Sequence, residues 1–165
     1  MRLPLLLVLL CAFVSSASAE PSAIFLVRHA ERADSGGVTE KDPSLSGTGR
    51  ARAQALASTL RDAKISTIFA TEFRRTQETA KPLAEQLGLQ PRIVPAKETK
   101  ELTAAIKSCD GNILIIGHSN TLPEMMRVLG IADPPTLGEH DYDNLFVILR
   151  EPVPRLLRLH FSLGR

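Results

Sequence analysis

Apolar and polar positions alternate along this chain in two rhythms. Short runs rich in aliphatic and β-branched residues, AIFLV (23–27), STIFAT (66–71), PRIVP (91–95) and NILIIG (112–117), have the length and composition of strands. Between them the apolar residues recur with helical spacing. Ala53, Leu56, Ala57 and Leu60 fall at i, i+3, i+4 and i+7, which predicts a helix over 47–62 with one buried face. Ala80, Leu83, Ala84 and Leu87 predict a second helix over 74–88, stopped by Gly88 and kinked or restarted at Pro82, which has no N–H to donate. Leu102, Ala105 and Ile106 mark a third helix (99–108), and Leu122, Met125, Met126 and Leu129 a fourth (121–130) with Thr121 and Glu124 as its capping box. NLFVIL (144–149) and RLLRLHF (155–161) read as closing strands, the second an edge strand entered through the rigid EPVP turn. Strand–helix alternation of this kind predicts an α/β fold, a three-layer α/β/α sandwich with a largely parallel central sheet.

The first 19 residues break this pattern. Arg2, an apolar run from Leu5 to Val14 and the small residues Ala17-Ser18-Ala19 have the layout of a secretory signal cut after Ala19. The apolar run is short of the roughly 20 residues that span a bilayer, and bulky Leu10 argues against lipid attachment at Cys11. The expectation is an exported protein, periplasmic or secreted, with residues 20–165 as one domain and no membrane attachment after cleavage. Loss of Arg2 takes the formal charge from +2 to about +1, which argues against nucleic acid as a partner. Cys109 is then alone, so no internal disulfide forms, and its place at a predicted helix end suits a structural role.

Ligands of open α/β sheets sit beyond the carboxyl ends of the strands. Arg28, His29 and Arg32 follow the first strand, Arg74 and Arg75 the second, and His118, Ser119 and Asn120 the strand at 112–117. Guanidinium forks suit phosphate oxygens. A neutral imidazole is a competent nucleophile at phosphorus, and arginines with a second histidine stabilise the equatorial oxygens without need of a metal or other cofactor. In this reading Arg28 grips phosphate and His29 attacks it, with N–H donors at the start of the helix after His118 assisting. Arg74 and Arg75 point ~100° apart on a helix, so one of them faces the site. Arg32 is a candidate substrate contact, and Ser119 and Asn120 either touch phosphate or cap the next helix. His140, in GEHDYDN, and His160 have no such setting and are expected to be structural or exposed.

VRHAE, DPSLSGTGRARAQAL, TEFRRTQETAKPLAEQLGL and IIGHSNT, in that order from about Ala23 to Leu149, resemble the histidine phosphatase superfamily, whose fold is phosphoglycerate mutase-like. The resemblance implies that His29 is the phosphorylated nucleophile and that Arg28, Arg75 and His118 complete the phosphate pocket. It favours Arg75 over Arg74. It also implies a carboxylate proton donor after the third strand, for which Glu98 is the nearest match and Glu101 the alternative. The family's Arg-His-Gly is Arg-His-Ala here, so Ala30 adds a Cβ where the backbone would approach phosphate. The implied activity is that of a metal-independent phosphatase for phosphomonoesters or phosphorylated proteins. The export signal and the lack of a long insertion argue against a glycolytic mutase, and nothing demands more than a monomer.

Two rivals are weighed against this. ILIIGHSNT nearly matches the G-x-S-x-G elbow of a serine hydrolase, with Ser119, Asp133 and His160 in the expected order, but Thr121 replaces the last glycine. A phosphoanion-binding module that has lost its chemistry is the rival outside enzymes.

Overall fold

A computed structural model describes residues 23–34 and 41–163; the signal segment lies outside them. The elements follow in the order β1 (Ala23–Arg28), α1 (Gly47–Leu60), β2 (Ile65–Ala70), α2 (Arg74–Leu87), β3 (Arg92–Ile93), α3 (Thr99–Lys107), β4 (Asn112–Gly117), α4 (Leu122–Val128), β5 (Asn144–Leu149) and β6 (Arg155–His160). The six strands form one sheet in the order β3-β2-β4-β1-β5-β6. Strands β1 to β4 are parallel, β5 runs antiparallel to β1, and β6 antiparallel to β5.

Because successive strand residues point to opposite faces, the near-continuous apolar strands feed two cores. Val27, Ile68, Leu114 and Ile116 pack under α1 and α2, against Leu56, Leu60, Ala80 and Leu83. Ile24, Leu26, Phe69, Ile113 and Ile115 pack on the other face with Ile106 of α3 and Leu122, Met125 and Met126 of α4. This is the expected α/β/α sandwich. Connections from β1 and β2 lead to one face, those from β3 and β4 to the other. Since β1 and β4 are neighbours, a crevice opens between their carboxyl ends, where α/β sheets bind ligands.

Local chemistry accounts for the element ends, with three departures from the sequence pattern. Ser46 caps α1 by accepting from the Gly49 N–H at 3.0 Å, and Gly88, at φ 66°, ends α2 in the left-handed region that glycine tolerates. However, α2 runs unbroken through Pro82 without a restart. Strand β3 has only two residues, both exposed at the sheet edge. The Thr121–Glu124 capping box does not form: Thr121 has helical dihedrals and no capping bond, and Glu124 is exposed. The Thr121 hydroxyl instead accepts from the His118 N–H at 3.2 Å, so it braces the site rather than the helix. Cys109 is structural, its thiol donating to the Ala105 carbonyl at 3.1 Å.

Candidate active site

The parallel register of β1 and β4 pairs Arg28 with Gly117. The His29 N–H continues the ladder by donating to the Gly117 carbonyl at 2.9 Å. His29 and His118 are thereby set side by side at the sheet edge, ring centroids 5.3 Å apart and edge to face. Around them lies a cleft of about 550 Å³ that Arg28, Arg32, Arg75, Ser119 and Asn120 also line. Residues from three strand ends thus meet at one point. Arg74 does not line this cleft; its guanidinium turns to Ser44 and Glu78.

The His29 ring is oriented by its own backbone. Nδ1 lies 2.8 Å from the Ala30 carbonyl, which only accepts, so Nδ1 carries the proton and Nε2 keeps its lone pair. Burial depresses the His29 pKa to about 3, against the raising effect of the Ala30 hydrogen bond and with His118, Arg75 and Arg28 pushing the same way as burial. His118 is likewise lowered to about 4, first by burial and then by Arg75. Both imidazoles are therefore neutral at pH 7. His118 Nε2 lies 3.1 Å from the Thr71 hydroxyl, itself 2.9 Å from the Thr76 hydroxyl in a buried network tied to the turn after β2. That anchoring leaves His118 Nδ1 without a hydrogen bond among the described residues.

The two inward arginines each set the guanidinium carbon over an aromatic ring. Arg75 Cζ is 4.2 Å from the centroid of Phe73, whose ring also meets His118 edge-on at 5.3 Å. Arg28 Cζ is 4.2 Å from the Tyr142 centroid, and that ring lies 6.2 Å from His29. Asp42 adds a charge partner for Arg75 at 3.6 Å and accepts from the Arg74 N–H at 3.0 Å, at the start of α2.

Other expectations are placed differently. Glu98 is exposed at the start of α3 and lines a separate apolar cavity of about 30 Å³, which shares only Ala96 and Thr121 with the cleft. Glu101 is exposed and does not line the cleft either. Among the described residues Glu139 is the one carboxylate-bearing residue lining the cleft. Ala30 does not approach the cleft: it is 1% exposed, packs with Leu45 and Ala53, and gives its N–H to Thr79 Oγ1 at 2.9 Å. Its Cβ fills core. Ser119 and Asn120 make no capping bond. The serine-hydrolase triad is not assembled, because His160 is held by Asp143 at 3.0 Å outside the cleft and Asp133 is exposed.

Sequence reasoning missed His140 as a cleft residue, along with Tyr142, Glu139 and Lys97. It also missed the bracing roles of Asp42, Thr71, Phe73 and Thr76. No signal in the sequence placed them there: GEHDYDN stands directly before β5, whose direction its apolar period does not show. That strand runs antiparallel to β1, so its start lies at the carboxyl end of β1.

No curated protein matches the chain by sequence. Residues 24–103 match the model of the histidine phosphatase superfamily, branch 1. Among solved structures, the protein histidine phosphatase SixA complexed with tungstate superposes with TM-score 0.68 at 15% identity, over 84% of this chain and 96% of that one. A mycobacterial glucosyl-3-phosphoglycerate phosphatase in complex with VO3 gives TM-score 0.68 at 16% identity, over 85% and 99%. Mycobacterial hydrolase 2 gives TM-score 0.67 at 15% identity, over 87% and 92%. The matched segment carries the Arg-His strand end and Arg75 and is similar to the histidine phosphatase superfamily, and the whole sheet shares the fold of these solved phosphatases.

Proposed function

We propose that the chain is an exported, metal-independent phosphatase that works through a phosphohistidine on His29 and takes phosphomonoesters or phosphorylated proteins. The observation that carries this is the His29 tautomer: Nδ1–H donates to the Ala30 carbonyl, so Nε2 is a free base in a cleft lined by three arginines. Two of the similar structures hold tungstate or VO3, oxyanions related to phosphate. Among the described residues no cluster of three or more His, Cys, Asp or Glu is arranged to hold a metal ion.

In the first step Nε2 attacks phosphorus in line with the leaving oxygen. The P–N bond forms, the P–O bond to the leaving group breaks, and Arg28, Arg75 and His118 Nδ1–H hold the equatorial oxygens. Water then attacks the phosphohistidine, giving inorganic phosphate and returning His29 to the free base. With Glu98 set outside the cleft, protonation of the leaving group is weakly supported. Substrates with a stable leaving group, aryl phosphates or phosphohistidine, turn over faster than alkyl phosphates on this reading.

The test is phosphate release from an aryl phosphate by residues 20–165, with chelator present, for the native sequence and His29→Ala, together with trapping of an acid-labile phosphoenzyme. Chelator-resistant release that disappears with His29 is the expected result. Phosphate binding with no release across pH 4 to 9 and a panel of phosphoesters would leave the binding module. Export is checked separately, by the mass of the protein recovered outside the cytoplasm: cleavage after Ala19 gives a chain beginning at Glu20.

A further inference from the structure

We propose that Tyr142 is the positioning residue for Arg28 and sets which edge of its guanidinium is offered to the phosphoryl group; this rests on the phosphatase reading above. An arginine has five N–H donors. Here Arg28 Nη1 donates to the carbonyls of Gly138 and Glu139, both at 2.8 Å, which uses its two hydrogens. Nη2 makes one long contact, 3.4 Å, to the Tyr142 hydroxyl. Among the described residues Nε, which is buried, has no hydrogen-bond partner. What remains is Nε–H and the Nη2–H beside it, the edge that meets two phosphate oxygens in a fork.

The ring face holds the guanidinium while leaving Nε–H and one Nη2–H unpaired among the described residues. The ring face attracts the cation at 4.2 Å, whereas a carboxylate in the same place would take the hydrogen bonds and cancel the charge. The segment that presents the ring is itself braced. The Asp141 carboxylate accepts from the Gly138 N–H at 2.8 Å, and the Tyr142 N–H donates to the His140 carbonyl at 3.0 Å. Phe73 supports Arg75 in the same way from another element, at the same 4.2 Å. Because Arg28 Nε is buried, a phosphate oxygen reaches it only as the stacked pair gives way slightly, so Tyr142 must sense the ligand.

The composition supplies the assay: the chain has one tyrosine and no tryptophan, so its tyrosine emission comes from Tyr142 alone. An untagged protein is titrated with inorganic phosphate by calorimetry and by tyrosine fluorescence, and compared with Tyr142→Leu and Tyr142→Phe, each checked by thermal unfolding. The expected result is a saturable fluorescence change with the calorimetric Kd. Tyr142→Leu raises that Kd, and the KM for an aryl phosphate, about tenfold with kcat changed less than about threefold, and Tyr142→Phe restores most of the loss. Phosphate binding by the native protein with no change in emission, or with the same Kd in Tyr142→Leu, overturns the role of Tyr142 and leaves the phosphatase reading standing. No phosphate binding by the native protein overturns both.

Discussion

Burying two neutral histidines beside arginines makes the fold sensitive to acid, and the size of the effect follows from the site. His29 and His118 are 6% and 7% exposed, and their pKa values fall from 6.5 to about 3 and about 4. A histidine harder to protonate in the folded than in the unfolded chain stabilises fully above pH 6.5, and that contribution is lost as pH falls toward the folded value. At pH 5 the unfolded chain has bound both protons and the folded one neither. The loss relative to pH 7.5 is then about 2 kcal/mol for each histidine. Against a total stability of roughly 5–15 kcal/mol for a domain, this is a large share. The assay is urea unfolding at pH 7.5 and pH 5 for the native sequence, His29→Gln and His118→Gln. Each variant should lose about 2 kcal/mol less than the native protein on acidification. The carboxylates shared by all three chains cancel in that difference. Equal losses in all three would refute the claim that these imidazoles are buried as neutral bases, and the nucleophile argument would lose its footing.

Three further outcomes are expected. A Cβ on Gly49 would lie 2.1 Å from the Glu31 carbonyl oxygen, a backbone atom, so Gly49→Ala should cost about 1–3 kcal/mol and lower Tm, measured by calorimetry. Asp42→Asn keeps an acceptor for the Arg74 N–H but removes the anion 3.6 Å from Arg75. Phosphate should then bind about two- to fivefold more tightly at low salt, the gain fading as salt is raised in the same titration. Ser119→Ala should retain most phosphatase activity in a phosphate-release assay, because no hydrogen bond joins Ser119 to a histidine among the described residues; a loss of a hundredfold or more would revive the serine nucleophile.

The sheet and its helices were legible because burial decides them, and burial leaves a period in the sequence. Every apolar stripe named for the helices faces a core in the structure, and the two histidines that follow parallel strands came to one edge with Arg28 and Arg75 because parallel strands end together. What failed was local. The Thr121–Glu124 pattern satisfies a capping template, but tertiary demand won: the hydroxyl is worth more to the His118 backbone, and the helix starts at Leu122 without that cap. Strand β3 shrank to two residues since an edge strand with exposed Arg92 and Ile93 has little burial to define it.

The rim of the site was hidden for a different reason. A strand's apolar period is the same whichever way it runs, so NLFVIL could not reveal that β5 is antiparallel to β1. Had it been parallel, the loop before it would lie at the far end of the sheet and GEHDYDN would be surface, as the sequence suggested. One reversal of direction instead brings Glu139, His140 and Tyr142 to the mouth of the cleft and seats Arg28 against Tyr142. Direction also bears on the missing acid. The segment after β3 that was expected to supply Glu98 leaves the sheet from its edge strand, with two strands between it and β1, whereas the 138–142 loop enters beside it. The groups nearest the leaving side are therefore set by how the chain returns to β1, and a search for the proton donor belongs with Glu139 and His140 before Glu98. Substituting each and plotting kcat/KM against leaving-group pKa decides it: the true donor, once removed, steepens the dependence for alkyl phosphates and leaves aryl phosphates nearly unchanged.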